Sequence, residues 1–469
     1  MKIVQNKKEM IKEKLFAEFP SVTAKAWKQK IQADLKGADY NDTLIWESPE
    51  RIKVKPFYTA DDLGENFIYS RSSVSNWLVG QHILVTDSIE ANQKAIKSIK
   101  SGAESLIFTL TNPDLKPLEI LKDIDISLIS LHFQFQFLSV AYIKDLLSCT
   151  DSANGNVYFH IDILGNFCRT GNWFKDFKSD HAALKEILNL AVNTPTLSID
   201  VSLYQNAGAN RTQQLAYALG HASEYLNFLN KEKLLFPDLK VSFKMAVDGN
   251  YFFEIAKLRA LRLLWKTIAA EFGIYADCHI LACPTRRNKT IYDYNVNLLR
   301  TTTECMSAIL GGADTVYNLS YDAVYHKDNE FGERIGRNQL LILKGESYFD
   351  KTSNPSDGTF YIEVLSQQLA EKALDIFKQI EQGDGFLNQL KAHNIQRKIK
   401  ESALKQQIRY DSGDEVLVGS NKYHNEIEKM KQELEKNPFK KNNLRKTIIE
   451  PIMETRLSES SEKIRLEHE

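Results

Sequence analysis

Eight short apolar runs, each followed by a longer stretch, constrain this 469-residue chain more than any other feature. They are WLVGQHILVTD (77–87), ESLIFTL (104–110), DISLISLHFQF (125–135), NVYFHIDIL (156–164), TLSIDVS (196–202), KVSFKMAV (240–247), ADCHILA (276–282) and ADTVYNLS (313–320). Most of the intervening stretches have helical period, the clearest being NYFFEIAKLRALRLLWKTIAAEFG (250–273). Near-continuous apolar strands alternating with helices predict a parallel sheet buried on both faces. Eight such units fit an α/β fold of the (β/α)8 TIM-barrel type better than an open sheet. A doubly wound sheet stays open as an alternative, because short apolar runs do not reveal closure.

Three segments follow from this pattern. Residues 1–64 form a polar N-terminal extension. It contains a helix capped near Ser21, striped by Ala24, Trp27 and Ile31 and closed by Gly37, then a short extended arm through Pro56. Residues 65–395 form the barrel, which the helix at 361–383 is expected to close. Residues 396–469 form an α-rich C-terminal segment: a helix, a turn and a short strand over 398–423, then a charged tail. In the tail, 425–469, ten basic and ten acidic residues balance, which suits either a solvated helix or a partner-binding arm.

Composition narrows the function classes. With 60 basic and 61 acidic residues, no bulk field recruits nucleic acid or membrane. Five cysteines without a CxxC pair suit a reducing compartment. The charged N-terminus is no signal peptide, and no apolar run approaches the roughly 20 residues that span a bilayer, so the expected location is the cytoplasm. Gly311-Gly312 reads as a helix cap and not as a phosphate loop, and neither a Walker A nor a GxGxxG pattern occurs. Cys283, followed by Pro284, reads as a plain barrel cysteine, and the histidines show no i,i+4 metal spacing.

Several segments in collinear order, over residues 16 to 424, resemble one family. They are AWKQKIQADLKGADYNDTLIWESPERIKVKPFYTADDL, FFEIAKLRALRLLW, YDYNVNLLRTTTECMSAILGGADTVYNLSYDAV, FGERIGRNQLLILKGES and VLVGSNKY. The family is the methylmalonyl-CoA mutases and related acyl-CoA mutases, specifically their small (beta) subunit. The resemblance implies a barrel threaded by a coenzyme A ester, with adenosylcobalamin on its C-terminal face held by a separate Rossmann-like domain. Asp277-Cys278-His279 is similar to the D-x-H-x-x-G motif of such domains, but Ala282 replaces the glycine and the segment lies in a barrel run. An Asp277–His279 pair inside the barrel is the expected reading.

The chain departs from the catalytic pattern at several points. Where catalytic subunits carry I-S-G-Y-H-M-Q-E-A-G-A, this chain reads Ile199-Asp200-Val201-Ser202-Leu203-Tyr204-Gln205-Asn206-Ala207-Gly208-Ala209. The tyrosine and histidine that reach thioester and cofactor become Ser202 and Leu203, and leucine shuttles no proton. The Gln-Asn-Asp run after the fourth strand is missing, and Arg169 does not match the family's substrate-pairing arginine. The first-strand tyrosine and arginines are replaced by VSNWLVGQHILV, and no cobalamin-binding domain is expected within 396–469.

The resemblance therefore implies a non-catalytic small subunit of a heterodimeric, adenosylcobalamin-dependent methylmalonyl-CoA mutase of propionate metabolism. The site at Ser202 and Leu203 is degenerate, no cofactor or metal sits on this chain, and adenosylcobalamin sits on the catalytic large subunit. Trp27, Trp46 and Phe57 are candidate partner anchors, with packing on their own barrel as the alternative. Two other readings are an active barrel using a separately encoded cobalamin domain, and a stand-alone acyl-CoA-binding protein.

Overall fold

The computed structural model describes residues 18–20, 22–64, 76–150, 156–439 and 445–469. All eight expected strands are present and parallel: β1 (Leu78–Val85), β2 (Ser105–Leu110), β3 (Ser130–Phe135), β4 (Val157–His160), β5 (Leu197–Asp200), β6 (Val241–Val247), β7 (His279–Pro284) and β8 (Thr315–Tyr317). Each pairs with its sequence neighbour, and β8 returns to β1 through Thr315↔Leu78 and Val316↔Val79. Between β4 and β5 the ladder is a single bridge, Ile161↔Leu197, supported by Phe159 N to Pro195 O at 2.8 Å. The sheet is thus a (β/α)8 barrel, with no doubly wound crossover.

Period-two alternation divides each strand between two environments. Phe108, Phe133, Phe159, Ile199, Phe243 and Ile280 are completely buried, as expected of residues between sheet and helices. Their neighbours His132, His160, Asp200 and Lys244, together with His82 of β1, are polar and supply the polar groups of the barrel. Gly80 matters in β1, because a Cβ there would stand 2.9 Å from Ile107 and 3.0 Å from Tyr317.

Two expectations about closure and ends need correction. Helix Glu330–Gly345, not the segment 361–383, is the eighth barrel helix: Arg337 donates to Gln81 Oε1 (2.8 Å) and Lys344 to Trp77 O (2.7 Å). Helix Phe360–Gln382 instead lies outside, against helices Arg211–Glu232 and Tyr251–Glu271. The 196–202 run stops being a strand at Asp200, and Ser202 opens the short helix Ser202–Asn206. The short strand expected after Gly413 is one isolated bridge, Val418↔Lys422.

The helix that carries the FFEIAKLRALRLLW motif, Tyr251–Glu271, is charged and yet buried. Glu254 accepts from Arg211 Nε (2.6 Å) and forms an ion pair with Lys257, which donates to Gln214 Oε1 and Ala246 O. Arg259 pairs with Glu363 (2.7 Å) and Asp357, tying in the outer helix. Arg262 spans Cys278 O, Gly312 O and Asp314, and Trp265 donates to Ala276 O. Each motif charge thus has a buried counter-charge or carbonyl, as burial requires. Gly312, at φ +84°, caps helix Val296–Leu310.

By internal contacts the chain divides into two compact units, Met1–Phe67 and Ile68–Glu469. In the first, helix Ala24–Asp34 is capped by Thr23, whose Oγ1 accepts from Ala26 N at 3.1 Å; Ser21 lies outside the described residues. Gly37, at φ +97°, follows its end. A hairpin joins Trp46–Glu47 to Lys53–Val54, and Trp27 meets Phe57 edge to face at 6.2 Å. In the second unit, helix Asn394–Ser412 and the tail pack with the barrel. Within the tail 425–469, residues 445–469 are not a solvated helix, because Ile449, Ile452, Leu457 and Leu466 are buried. Among the described residues no helix is long and apolar enough to cross a membrane.

Candidate functional site

A cavity of about 650 Å³ opens at the C-terminal end of the barrel, where (β/α)8 enzymes place their chemistry. Its wall is built from strand ends: His82 and Leu84 of β1, Thr109 of β2, Gln134 of β3, His160 of β4, Asp200 of β5 and Lys244 of β6. Cys283, Tyr317 and Arg286 complete the inner wall, and Arg169 and Glu454 stand at the rim.

Asp200 is the hub of its charge. Arg169 Nη2 donates to Asp200 Oδ2 at 2.8 Å, and Lys244 Nζ lies 3.6 Å from the same oxygen. The Ser202 hydroxyl donates to Oδ1. Burial by itself pushes this carboxyl up, but Lys244 and Arg169 outweigh it and hold the group well below the usual carboxylate range. Arg169 turns its other nitrogen to Glu454, and Lys244 donates to Gln134 Oε1 at 3.1 Å. A chain of alternating charge therefore runs from Glu454 through Arg169 and Asp200 to Lys244.

Asp162 fixes the position of this hub. It accepts from Asp200 N (2.9 Å), caps helix Ile163–Thr170 through Gly165 N (2.7 Å), and takes bonds from His221 and Tyr225. Desolvation opposes its ionisation, yet His221 and these donors lower its pKa.

The floor of the cavity is made of rings. His160 Nε2 lies 2.9 Å from His132 Nδ1, and its Nδ1 lies 3.0 Å from Ser198 Oγ. Beneath, His132 stacks on Tyr158 with centroids 4.6 Å apart, and Tyr158 meets His279 at 4.3 Å. These three side chains occupy the barrel axis below the cavity. Burial keeps His82 and His160 neutral, depressing both to about 3, with nearby cations adding to the effect.

The residues singled out from sequence separate here. Ser202 lines the cavity and hydrogen-bonds Asp200, whereas Leu203 is 1% exposed and absent from the lining. Arg169, away from the family motif position, nonetheless reaches the mouth. Asp277 and His279 do not pair. Asp277 binds Lys266 (3.1 Å), and His279 instead meets Thr315 (3.4 Å), with Asp314 at 4.0 Å. His279 thus sits in the ring stack, in surroundings that do not fit an exposed cobalt ligand. Cys283 lines the cavity beside Tyr317, and burial raises its thiol pKa. Among the described residues no cluster of three or more His, Cys, Asp or Glu can hold a metal ion.

Sequence reasoning passed over Asp200, Lys244, His160 and Glu454. A signal for the first three was present: polar residues at alternating positions inside apolar runs, as in Ser198/Asp200 and Ser242/Lys244. Glu454 had none, because only the folded tail brings it there.

The methylmalonyl-CoA mutase family model matches residues 139–467. The chain belongs to the methylmalonyl-CoA mutase family. It is 34% identical over 446 residues to the methylmalonyl-CoA mutase small subunit of Porphyromonas gingivalis, covering 88% of this chain and 72% of that protein. Similarity extends to the small subunit of Streptomyces virginiae, at 29% identity over 81% of this chain and 66% of the relative. The large subunit from the same organism is 26% identical over 86% of this chain and 62% of that protein. The chain thus spans about two thirds of the length of these relatives, and within the family its similarities favour the small-subunit branch.

Proposed function

We propose that this chain is the non-catalytic small subunit of a heterodimeric, adenosylcobalamin-dependent methylmalonyl-CoA mutase. Its role is to support a catalytic large subunit that interconverts methylmalonyl-CoA and succinyl-CoA. The observation that carries this reading is the ring stack of His132, Tyr158 and His279, which fills the axis a coenzyme A ester would have to thread. Ser202 and Leu203 support it further: one is a cavity-lining hydroxyl committed to Asp200, the other a core leucine. Adenosylcobalamin then belongs to the partner. The His279 setting supports this, since its imidazole is enclosed by rings.

The partner in this reading is the large subunit, gripped in part by the N-terminal extension. Trp27 and Trp46, 52% and 49% exposed, are suited to bury against it, whereas Phe57 is already half-buried against Trp27. Five free thiols fit a cytoplasmic complex.

Co-expression with and without a large subunit tests the proposal. The pair should co-purify one to one with cobalamin and isomerise the substrate, while this chain alone should retain no cobalamin and show no turnover. Ser202→Tyr with Leu203→His should create no activity and should destabilise the barrel by roughly 1–3 kcal/mol, because the imidazole at 203 enters packed core and the change at 202 removes the hydroxyl bonded to Asp200. Turnover by the isolated wild-type chain would end the proposal.

A further inference from the structure

The charges that line the cavity are shared out unevenly around its mouth. On the β4–β6 side each has a partner: Arg169 lies between Asp200 and Glu454, and Lys244 holds Gln134 and Asp200. Asp162 is taken up by His221 and Tyr225. Beyond β8, Glu333 pairs with Lys94 at 3.5 Å, and Arg337 donates to Gln81 Oε1 and Ser101 O. Three lining charges remain, Arg286, Lys436 and Asp328. Among the described residues none of these side chains makes an ion pair or a hydrogen bond.

Tertiary structure brings the two cations to one side of the mouth. Arg286 follows β7, and its backbone N–H donates to Asn206 Oδ1 at 2.9 Å, where Thr285 Oγ1 also donates at 2.8 Å. Asn206 is buried, so the root of Arg286 is fixed. Lys436 arrives from the tail, its backbone N–H donating to Tyr325 O at 3.0 Å. Desolvation lowers the pKa of the Lys436 ammonium, Asp328 opposes this and Arg286 adds to it, so the two cations act on each other. Arg286 also acts inward, since burial, Lys244 and Arg286 together keep His82 neutral.

The rest of the cavity decides what fits. Its floor is closed by the rings of His132, Tyr158 and His279, so an occupant is compact and not a long chain along the axis. Phe135, Phe137 and Leu138 line the wall after β3, which in an eight-stranded barrel stands across from β7. A volume of about 650 Å³, apolar on one side with a few placed polar groups on the other, is the form of a small-molecule site.

We propose that the cavity binds a compact organic anion, whose carboxylate or phosphate sits between Arg286 and Lys436 and whose apolar body lies against Phe135, Phe137 and Leu138. Such a ligand relieves the repulsion between two cations that only Asp328 opposes, and guanidinium and ammonium donors suit either oxyanion. The site needs neither Ser202 nor Leu203, so it does not depend on whether the barrel is catalytic.

Isothermal titration calorimetry of the full chain at fixed ionic strength tests this with benzoate and phenyl phosphate, which share a ring and differ in head group, and with neutral benzamide. At least one anion should bind one to one, and benzamide at least about tenfold more weakly. Arg286→Gln and Lys436→Gln should each weaken the bound anion about tenfold, the loss of one charge-assisted hydrogen bond. Both side chains are exposed, so these variants should keep the wild-type unfolding transition. Lys378→Gln, at an exposed position of the outer helix, should bind as wild type. The tighter of the two anions identifies the head group. No saturable binding of either anion up to about 10 mM would overturn the site. So would equal affinity for benzamide, full affinity in Arg286→Gln, or an equal loss in Lys378→Gln, which would leave only bulk charge.

Discussion

The flank of the barrel under helix Tyr251–Glu271 and the mouth above Asp200 are both dense in charge, yet they are built oppositely. On the flank, Glu254, Lys257, Arg259 and Arg262 are almost fully buried and matched to partners on other helices and loops. At the mouth, Arg169, Asp200 and Glu454 remain between about a fifth and two fifths exposed and share partners along a chain. The comparison teaches that the most recognisable motif of this sequence holds the fold together, whereas the charge of the cavity is assembled from inconspicuous single residues. A buried charge must be paired wherever the fold exists, while a cavity charge is free to change with its role.

Breaking the flank should give the largest effect. Arg259→Ala leaves Glu363 buried without its partner and should lower unfolding free energy by roughly 3–5 kcal/mol in a denaturant titration. A loss below about 1 kcal/mol would place the flank network in the same class as the mouth. Next comes the ring floor. Tyr158→Ala should cost about 2–3 kcal/mol, less than a fully enclosed aromatic, and should extend the cavity down the barrel axis. Methyl viologen or another slender probe bound only by the variant would confirm the opening, and unchanged stability would show that the rings do not pack as a unit.

The pH dependence sharpens the contrast further. His82 and His160 have folded pKa values near 3, below the ordinary 6.5, because the folded barrel buries them neutral. A depressed pKa means that the unfolded chain binds more protons between about 6.5 and 3. Their contribution is therefore fully present above pH 6.5 and is lost as pH falls below it. Stability should drop by up to about 1.4 kcal/mol per pH unit per histidine in that window. Urea titrations at pH 7, 6 and 5 should show it, with a shallower slope in His160→Gln; an unchanged slope would mean that this ring titrates freely. The smallest effect belongs to the rim, where Glu454→Gln should change stability by less than about 1 kcal/mol.

How much was legible follows the same division. All eight strands were readable because a strand enclosed on both faces must be apolar along its length, as ESLIFTL and KVSFKMAV are. Their ends were less so: the run at 125–135 becomes strand only from Ser130, since Asp125 to Ile129 are apolar enough to match but turn instead. The eighth helix was misplaced because 330–345 and 361–383 are both amphipathic, and only packing decides which one seals β8 to β1. His279 was given the wrong partner for a related reason. Asp277 precedes the strand and turns out to Lys266, so the alternation that would have joined the two does not apply.

The sequence by itself determined the parallel eight-stranded core, the buried helices and the family, because those depend on periodicity and on residues that the fold needs wherever it occurs. Closure between β4 and β5, the ring floor, the assembly of Asp200 with Arg169 and Lys244, and the return of the tail to the mouth were decided only by tertiary structure. Each depends on groups far apart in the chain, Arg169 and Glu454 being 285 residues from one another. No local pattern encodes such a meeting, since neither residue's neighbours change with the other's presence and only the packed barrel brings them within reach.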